Sequence, residues 1–150
     1  MKQDKNRTAA RAIIIRDNKL LVMKRNKFDD IYYALIGGGV DPGETIEQAL
    51  VREVDEETSM TITTYRKVFI EPAWGKYGDQ HIYLCEDPGG EPELQPSTGE
   101  AKLNKLGGNT FKPMWLEISE IPKVKFRSPS PHKQLVICLR DGFKDEVIRI

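Results

Sequence analysis

The sequence lacks several features that would assign a chain of 150 residues to a specialised class. It contains only two histidines and two cysteines, Cys85 and Cys138, which form no CxxC pair. A disulfide framework or zinc ribbon is therefore not expected, and reduced, structural thiols are favoured. Neither sign of charge is in excess, because 23 basic residues balance 23 acidic ones. A long nucleic acid or an anionic membrane is for that reason a poor candidate partner.

Long apolar runs are also missing from the chain. Residues 1–7 are polar and charged where a signal peptide would be apolar, and no later run reaches membrane-spanning length. These absences predict a cytoplasmic protein. A hydrophobic fraction of 39% with 31% charged residues is typical of a globular chain. We expect a single domain over residues 1–150, as a monomer or a homodimer.

Turn residues and β-branched runs divide the chain into predicted strands and helices. Strands are predicted for a hairpin at 8–23 and for residues 31–36, 60–70, 80–85 and 111–116. Helices are predicted for 45–59, with a capping box at Thr45, and for 129–140, with Ser130 as N-cap. The Gly-, Pro- and acid-rich stretch 86–108 is expected to be a long surface loop. The predicted fold class is α/β with a mixed β-sheet.

The most informative stretch is the predicted helix that follows the three glycines at 37–39. Glu53, Glu56 and Glu57 lie three or four residues apart and so share one helix face, separate from the apolar stripe. Close carboxylates repel one another, and a divalent cation would offset that repulsion. Ligands that are all oxygen, with no nearby His or Cys, favour Mg²⁺ or Mn²⁺ over zinc. A merely solvated acidic face is the alternative, and the spacing to the glycines argues against it.

These residues resemble the signature of the Nudix hydrolase family, G-x5-E-x7-R-E-U-x-E-E-x-G-U, in which U is a bulky aliphatic residue. The matching positions are Gly38, Glu44, Arg52, Glu53, Val54, Glu56, Glu57 and Met60. Ser59 alone departs, since the family has glycine there. A left-handed backbone at this position would cost serine on the order of 1 kcal/mol relative to glycine. From the sequence we therefore expect Ser59→Gly to raise stability slightly and to leave activity unchanged.

The resemblance implies an α/β/α sandwich and a metal site. Glu53 and Glu57 would be the principal metal ligands, and Glu56 would be a further ligand or the base that activates water. A carbonyl of Gly37 or Gly38 would reach the metal, for which Mg²⁺ is expected and Mn²⁺ is a substitute. Gly38 would also let the backbone approach the substrate closely.

Two further positions of the signature would shape the site. By the same resemblance, Arg52 would orient the glutamates and Glu44 would hold the glycine loop against the helix. The implied reaction is attack of water on phosphorus in a nucleoside diphosphate linked to a group X, which releases a nucleoside monophosphate and pyrophosphate or phosphorylated X. Cations that bridge phosphate oxygens and a base that deprotonates water are what this chemistry requires.

The sequence leaves the substrate open. A nucleoside triphosphate, oxidised or otherwise non-standard, is the first choice. A diadenosine polyphosphate or an ADP-ribose-like compound is the alternative within the same chemistry. A nucleotide-sensing module without turnover is the alternative outside enzymes, and it is disfavoured because every ligand glutamate is present.

Other candidate site residues lie outside the signature. Arg25 follows the second predicted strand and would contact substrate phosphates, with a solvated strand end as the alternative. Tyr32 and Tyr77 are candidates for stacking on a base, with core packing as the alternative. The resemblance also implies an extra metal ligand or base at Glu100 in the acidic loop, for which Glu71 is a rival.

Overall fold

Residues 7–73 and 78–150, which the computed structural model describes, contain one mixed sheet with helices on both faces. The strands are β1 (Ala9–Arg16), β2 (Lys19–Lys27), β3 (Asp30–Gly39), β4 (Tyr65–Glu71), β5 (Gln80–Cys85), β6 (Asn109–Glu117) and β7 (Ile148–Arg149). Their order across the sheet is β6-β2-β3-β1-β5-β4-β7. The β1–β5 and β4–β7 pairs are parallel and the other pairs are antiparallel.

The helices cover the two faces of this sheet. They are α1 (Ile46–Thr58), α2 (Gly99–Leu106) and α3 (Pro129–Asp141), with a 3₁₀ helix at Ile118–Lys123. Alternate residues of β1 point to opposite sides, so Ile14 packs in the core layer of α1 and Ile13 in the layer of α3. Cys85 and Cys138 are buried free thiols in these two different layers. The predicted α/β/α sandwich with a mixed sheet is confirmed.

The hairpin, the strand at 80–85 and the first helix form where they were predicted. The prediction of a strand from residue 60 was wrong, because β4 begins only at Tyr65. Met60 and Ile62 alternate with exposed threonines, as in a strand, but residues 60–64 pair with no neighbouring strand in the described part of the chain. Alternating burial alone therefore does not define a strand.

Two helix predictions also need correction. The stretch 86–108 is not entirely loop, because α2 forms within it; α2 buries no side chain, and so the sequence has no apolar period there. The helix α3 begins at Pro129 with Ser128 as N-cap, so Ser130 lies inside its first turn. No helix in the described ranges combines the length and apolar character needed to cross a membrane.

The helix α1 is fixed at its start by a complete capping box. Thr45 Oγ1 accepts from the Gln48 N–H (3.1 Å), and Gln48 Oε1 accepts from the Thr45 N–H (2.9 Å). Leu50 and Val54 are fully buried on the sheet side of the helix. The register of α1 on the sheet is thereby set, and with it the direction of its acidic side chains.

Replacing Thr45 with alanine should lower the free energy of unfolding by about 1 kcal/mol, because the bond that its side chain accepts is lost. Urea denaturation measures this change. Thr61→Ala is the control, at an exposed threonine outside any helix, and should change stability by less than about 0.5 kcal/mol. Equal effects of the two substitutions would mean that the capping box does not stabilise α1.

Candidate active site

A cleft of about 880 Å³ lies beside Gly37, Gly38 and Gly39, which we call the glycine end of β3. These glycines pair with β1 and so form strand, not the expected loop. One part of the cleft wall is formed by the glycine end of β3 together with the Glu53 and Glu57 side chains of α1. Cationic side chains elsewhere on the wall belong to Arg7, Arg11, Arg25, Lys27, Lys125 and Arg127. Aromatic lining comes from Tyr32, Phe111 and Phe126. The cleft therefore offers cations and aromatic surface next to a concentrated pair of carboxyl groups.

The glycine end of β3 allows α1 to approach the sheet closely. Gly37 has a φ of 145°, and a Cβ there would collide with the Ala10 carbonyl of β1. A Cβ on Gly38 would lie 2.6 Å from Glu53 Oε1. Any larger residue at either position would therefore push the helix or the neighbouring strand away.

Glu53 and Glu57 are carboxyl groups held in a mostly dry environment. Glu57 is only 5% exposed, and its Oε1 accepts from the Gly37 N–H (3.1 Å). Burial raises the pKa of Glu57 well above its usual range, and the nearby Glu53 raises it further. Burial also raises the pKa of Glu53, although Arg52 Nη1 donates to it (3.0 Å). A bound cation would stabilise both groups in their charged form.

Arg52 connects the helix to the loop that precedes it. Its Nε and Nη2 donate to the two oxygens of Glu44 (2.7 and 2.9 Å), and Nη2 also donates to the Gly39 carbonyl (3.0 Å). Its Nη1 donates to Glu53 and to Glu56 (3.0 and 3.2 Å). The paired bonds from Arg52 lower the pKa of Glu44 to about 2. Arg52 therefore contacts Glu44, Glu53 and Glu56 at once, and the roles of Arg52 and Glu44 stay predictions.

Arg11 is a residue of this region that the sequence interpretation did not identify. Its Nη1 donates to the carbonyls of Leu35 and Gly37 (3.2 and 2.9 Å), and its Nε donates to Gln80 Oε1 (3.1 Å). A single charged residue within the apolar run of β1 was the available signal. The partners could not be found from sequence, because they lie on β3 and β5.

Arg11 is half-buried and lines the cleft together with the acidic pair. Burial and the neighbouring Arg127 lower the pKa of Arg11 to about 10, whereas Glu57 and Glu53 act in the opposite direction. The guanidinium therefore stays protonated near neutral pH and partly compensates the two carboxylates from the sheet side.

Arg25 and Tyr32, the predicted substrate contacts of β2 and β3, both line the cleft. The Arg25 guanidinium stacks on Phe111, 3.6 Å from the ring centre, and lies 5.4 Å from the centre of the Tyr32 ring. Arg25 Nη2 donates to Asn109 Oδ1 (2.7 Å). Its buried Nε has no hydrogen-bond partner within residues 7–73 and 78–150. Arg25 therefore keeps a donor that no residue of the described ranges uses.

The remaining predicted site residues lie in different places, and only one of those within the described ranges lines the cleft. Glu100 lines the cleft together with Glu53 and Glu57, but it does so from α2 and not from a loop. Glu71 is buried and lines a small cavity on the Arg11 side, and it is not part of the cleft wall. Glu56 is also outside the cleft wall, and its side chain is 39% exposed beside Arg52. Tyr77 lies outside the described residues.

The donor set fits a hard divalent cation that keeps part of its water shell. Within the described ranges, no three Asp, Glu, His or Cys side chains converge closely enough to enclose an ion. Glu53 and Glu57 supply carboxylate oxygens, and the Gly37 carbonyl keeps one lone pair beyond its bond to Arg11. An incomplete set of oxygen ligands suits Mg²⁺, which commonly binds through one or two carboxylates, water and substrate phosphates.

The profile of the NUDIX domain family matches residues 5–136. That match covers the glycine end of β3, α1 and the strands that form the cleft, and it extends into α3. The chain belongs to the NUDIX family. The Nudix resemblance predicted from residues 38–60 is therefore confirmed over most of the chain.

Several curated Nudix relatives are similar to this chain. An ADP-ribose pyrophosphatase of Methanocaldococcus jannaschii is 31% identical, over 79% of this chain and 66% of the relative. An oxidized purine nucleoside triphosphate hydrolase of Danio rerio is 32% identical, over 69% of this chain and 60% of the relative. An NAD-capped RNA hydrolase of Pectobacterium carotovorum is 32% identical, over 74% of this chain and 38% of the relative. The chain thus spans between 38% and 66% of the length of these relatives.

Solved Nudix structures share the fold. A MutT NUDIX hydrolase from Burkholderia pseudomallei superposes with a TM-score of 0.67 at 22% identity, covering 87% of this chain and 97% of that one. An ADP-ribose pyrophosphatase from Streptococcus suis gives a TM-score of 0.66 at 19% identity, covering 96% of this chain and 98% of that one. At these identities the likeness establishes the Nudix fold alone.

Replacing Arg11 with methionine should destabilise the protein by about 2 kcal/mol, because the buried carbonyls of Leu35 and Gly37 lose their donor. Urea denaturation measures the loss. Arg11→Lys keeps the charge but reaches fewer acceptors, so its stability should lie between that of the wild type and that of Arg11→Met. Arg66→Met is the control at an exposed arginine and should cost less than about 1 kcal/mol. Equal stability of Arg11→Met and Arg66→Met would contradict the bracing role of Arg11.

Proposed function

We propose that this Nudix protein is a Mg²⁺-dependent pyrophosphohydrolase that cleaves a nucleoside diphosphate linked to a group X. A nucleoside triphosphate, including oxidised and other non-standard forms, is the first choice of substrate. The observation that carries the proposal is the pair of Glu57, which is buried, and Glu53, whose side chain is 13% exposed; both lie against the glycine end of β3 in a cleft whose remaining walls are rich in cations.

The charges of the cleft match a polyphosphate that arrives with a metal ion. Arginine and lysine side chains bind phosphate oxygens, whereas Glu53 and Glu57 alone would repel them. Nudix hydrolases generally need a divalent metal, and the oxygen donors here favour Mg²⁺, with Mn²⁺ as a substitute. When bound by Glu53 and Glu57, this ion would neutralise phosphate charge and lower the pKa of coordinated water.

The residues around the pair have separate tasks in this proposal. Arg52 holds Glu53 and Glu56 in place, and Glu44 fixes Arg52 by a two-pronged hydrogen bond. A carboxylate accepts one proton from water as the water oxygen bonds to phosphorus and the phosphoanhydride P–O bond breaks. Glu56 and Glu100 are the candidates for that base; Glu56 belongs to the signature, and Glu100 lines the cleft.

Substrate oxygens have a prepared donor in Arg25. Stacking on Phe111 and the bond to Asn109 hold the guanidinium with its edge available to phosphate. Tyr32, on the same wall, supplies aromatic surface for a base. Both residues are proposed to bind substrate, whereas Gly38 contributes by leaving space beside Glu53.

An ADP-ribose-like compound or a diadenosine polyphosphate is the second candidate substrate. The name of the Methanocaldococcus jannaschii relative favours the former, and that of the Danio rerio relative favours an oxidised triphosphate. The balanced net charge favours a small nucleotide over a long nucleic acid. A sensing module without turnover is disfavoured, because every acidic position of the signature is retained.

The decisive experiment incubates the purified protein with Mg²⁺ and a panel of nucleoside triphosphates, oxidised triphosphates, dinucleoside polyphosphates and ADP-ribose. Release of monophosphate and of pyrophosphate or phosphorylated X is measured by chromatography. We expect turnover of at least one substrate class that stops when EDTA removes the metal. Binding without turnover across the whole panel would favour the sensing module.

Glu57→Gln should lower kcat by at least about 100-fold, because it removes a metal-binding charge, and it should leave the protein folded. The amide oxygen can still accept from the Gly37 N–H, so the packing is kept. Thermal unfolding with and without Mg²⁺ provides a second readout: the ion should stabilise the wild type and have little effect on the variant. Asp55→Asn removes a charge from the same helix outside the cleft wall and should preserve both properties. Unchanged turnover in Glu57→Gln would exclude Glu57 as a metal ligand.

A further inference from the structure

The C-terminal end of α1 is covered by the segment 93–95. The Glu93 N–H donates to the Thr58 carbonyl and the Gln95 N–H to the Glu56 carbonyl, each at 2.9 Å. Gln95 Nε2 donates to the Asp55 carbonyl, also at 2.9 Å. The Thr58 and Glu56 carbonyls are among those that the end of a helix leaves without intrahelical partners, whereas the Asp55 carbonyl also accepts from the Ser59 N–H (2.8 Å).

Ser59 adds a bond in the opposite direction. It is the C-cap of α1, with a φ of 59°, and its Oγ donates to the Glu93 carbonyl (2.7 Å). We call Ser59, Glu93 and Gln95 together the helix-end clamp. Leu94, between the last two, packs against the core layer of α1. The clamp therefore combines hydrogen bonds in both directions with one apolar contact.

The clamp is connected to Glu100 by hydrogen bonds at the start of α2. The Gln95 carbonyl accepts from the Thr98 hydroxyl (2.8 Å), and Thr98 Oγ1 accepts from the Ala101 N–H (3.1 Å) as the N-cap of α2. Glu100 lies in the first turn of that helix and lines the cleft. A short chain of contacts thus joins the end of the acidic helix to the one cleft-lining acid of α2.

The position of α2 depends strongly on such polar contacts, because α2 buries no side chain. Its far end is held by Asn104, which donates to the Phe111 carbonyl (2.8 Å) and accepts from the Phe111 N–H (2.6 Å). Its near end is held through Thr98 and Gln95. Loss of the clamp would therefore free the end of α2 that carries Glu100.

We propose that Ser59 and Gln95 are positioning residues that keep Glu100 at the cleft by fastening the 93–98 segment to α1. The inference rests on the proposed function in one respect, namely that Glu100 takes part in the reaction. Ser59, which stands where the signature has glycine, would thereby help to position Glu100. It also replaces the expectation that Ser59→Gly leaves activity unchanged.

Steady-state kinetics on the best substrate of the panel tests the role of the hydroxyl. Ser59→Ala removes the hydroxyl and keeps the Cβ, so kcat should fall about three- to tenfold with KM changed less than about twofold. Gln95→Ala should act in the same direction. Ser97→Ala, at an exposed serine of the same segment, is the control and should have wild-type kinetics. Wild-type kcat in both Ser59→Ala and Gln95→Ala would overturn the proposal.

Ser59→Gly separates the hydroxyl from backbone strain. Glycine relieves the left-handed conformation, so this variant should be more stable than Ser59→Ala in urea denaturation. Its kcat should nevertheless be as low as that of Ser59→Ala, because both lack the bond to Glu93. Recovery of wild-type kcat in Ser59→Gly would show that the serine hydroxyl has no positioning role.

A double-mutant cycle tests whether the clamp acts through Glu100. Glu100→Gln should lower kcat, and adding Ser59→Ala to that variant should lower it no further than about twofold. Full additivity of the two losses would overturn the proposal. So would a Glu100→Gln variant with wild-type kcat, and in that case the pyrophosphohydrolase activity itself would stand.

Amide hydrogen exchange tests the clamp without any activity. In Ser59→Ala, the amides of Gln95 and Lys102 should exchange at least about threefold faster than in the wild type, since the first donates to the Glu56 carbonyl at the end of α1 and the second to the Thr98 carbonyl at the start of α2. Ser97→Ala should leave them unchanged. Unchanged exchange in Ser59→Ala would overturn the positioning role, whereas an inactive wild-type protein would overturn only the proposed reaction.

Discussion

The close approach of α1 to the glycine end of β3 is the contact on which the rest of the site depends. A side chain at Gly38 would occupy the space of the Glu53 carboxyl group, and the Gly37 N–H is needed by Glu57. Backbone without side chains therefore lets an acidic helix face lie directly against a sheet. The consequence is a pair of carboxyl groups removed from water, which is energetically costly unless other charges compensate it.

Compensation comes from two arginines on different sides of the pair. Arg52 binds Glu53 from the helix side and is itself fixed by Glu44. Arg11 approaches from the sheet side and also holds the Gly37 carbonyl. Neither arginine outweighs burial, because the pKa values of both Glu53 and Glu57 remain raised. A divalent cation would neutralise the negative charge that the two arginines leave uncompensated. The site thus keeps its capacity to bind a cation, at a cost in folding stability.

The sequence predicted the parts of this arrangement that are local, and it missed those that depend on distant pairing. The capping box at Thr45 and the spacing of Glu53 and Glu57 predict α1 and its acidic face from one short stretch. Arg11 could not be placed from sequence, because its acceptors lie on β3 and β5. The helix α2 was missed for a different reason: a helix that buries no side chain leaves no apolar period to recognise.

Two parts of α1 organise the cleft by different physical means. In its middle turn, Arg52 pairs with Glu44, which precedes the helix, and donates to the Gly39 carbonyl at the glycine end of β3. At its end, the Thr58 and Glu56 carbonyls, which have no intrahelical partners, accept from the N–H groups of Glu93 and Gln95 in the segment leading to α2. A glycine at position 59 could adopt the same left-handed backbone but could offer no hydroxyl to that segment. Ser59, at the position where the family has glycine, thus adds a hydrogen bond between the end of α1 and the segment that leads to α2, a second wall of the site.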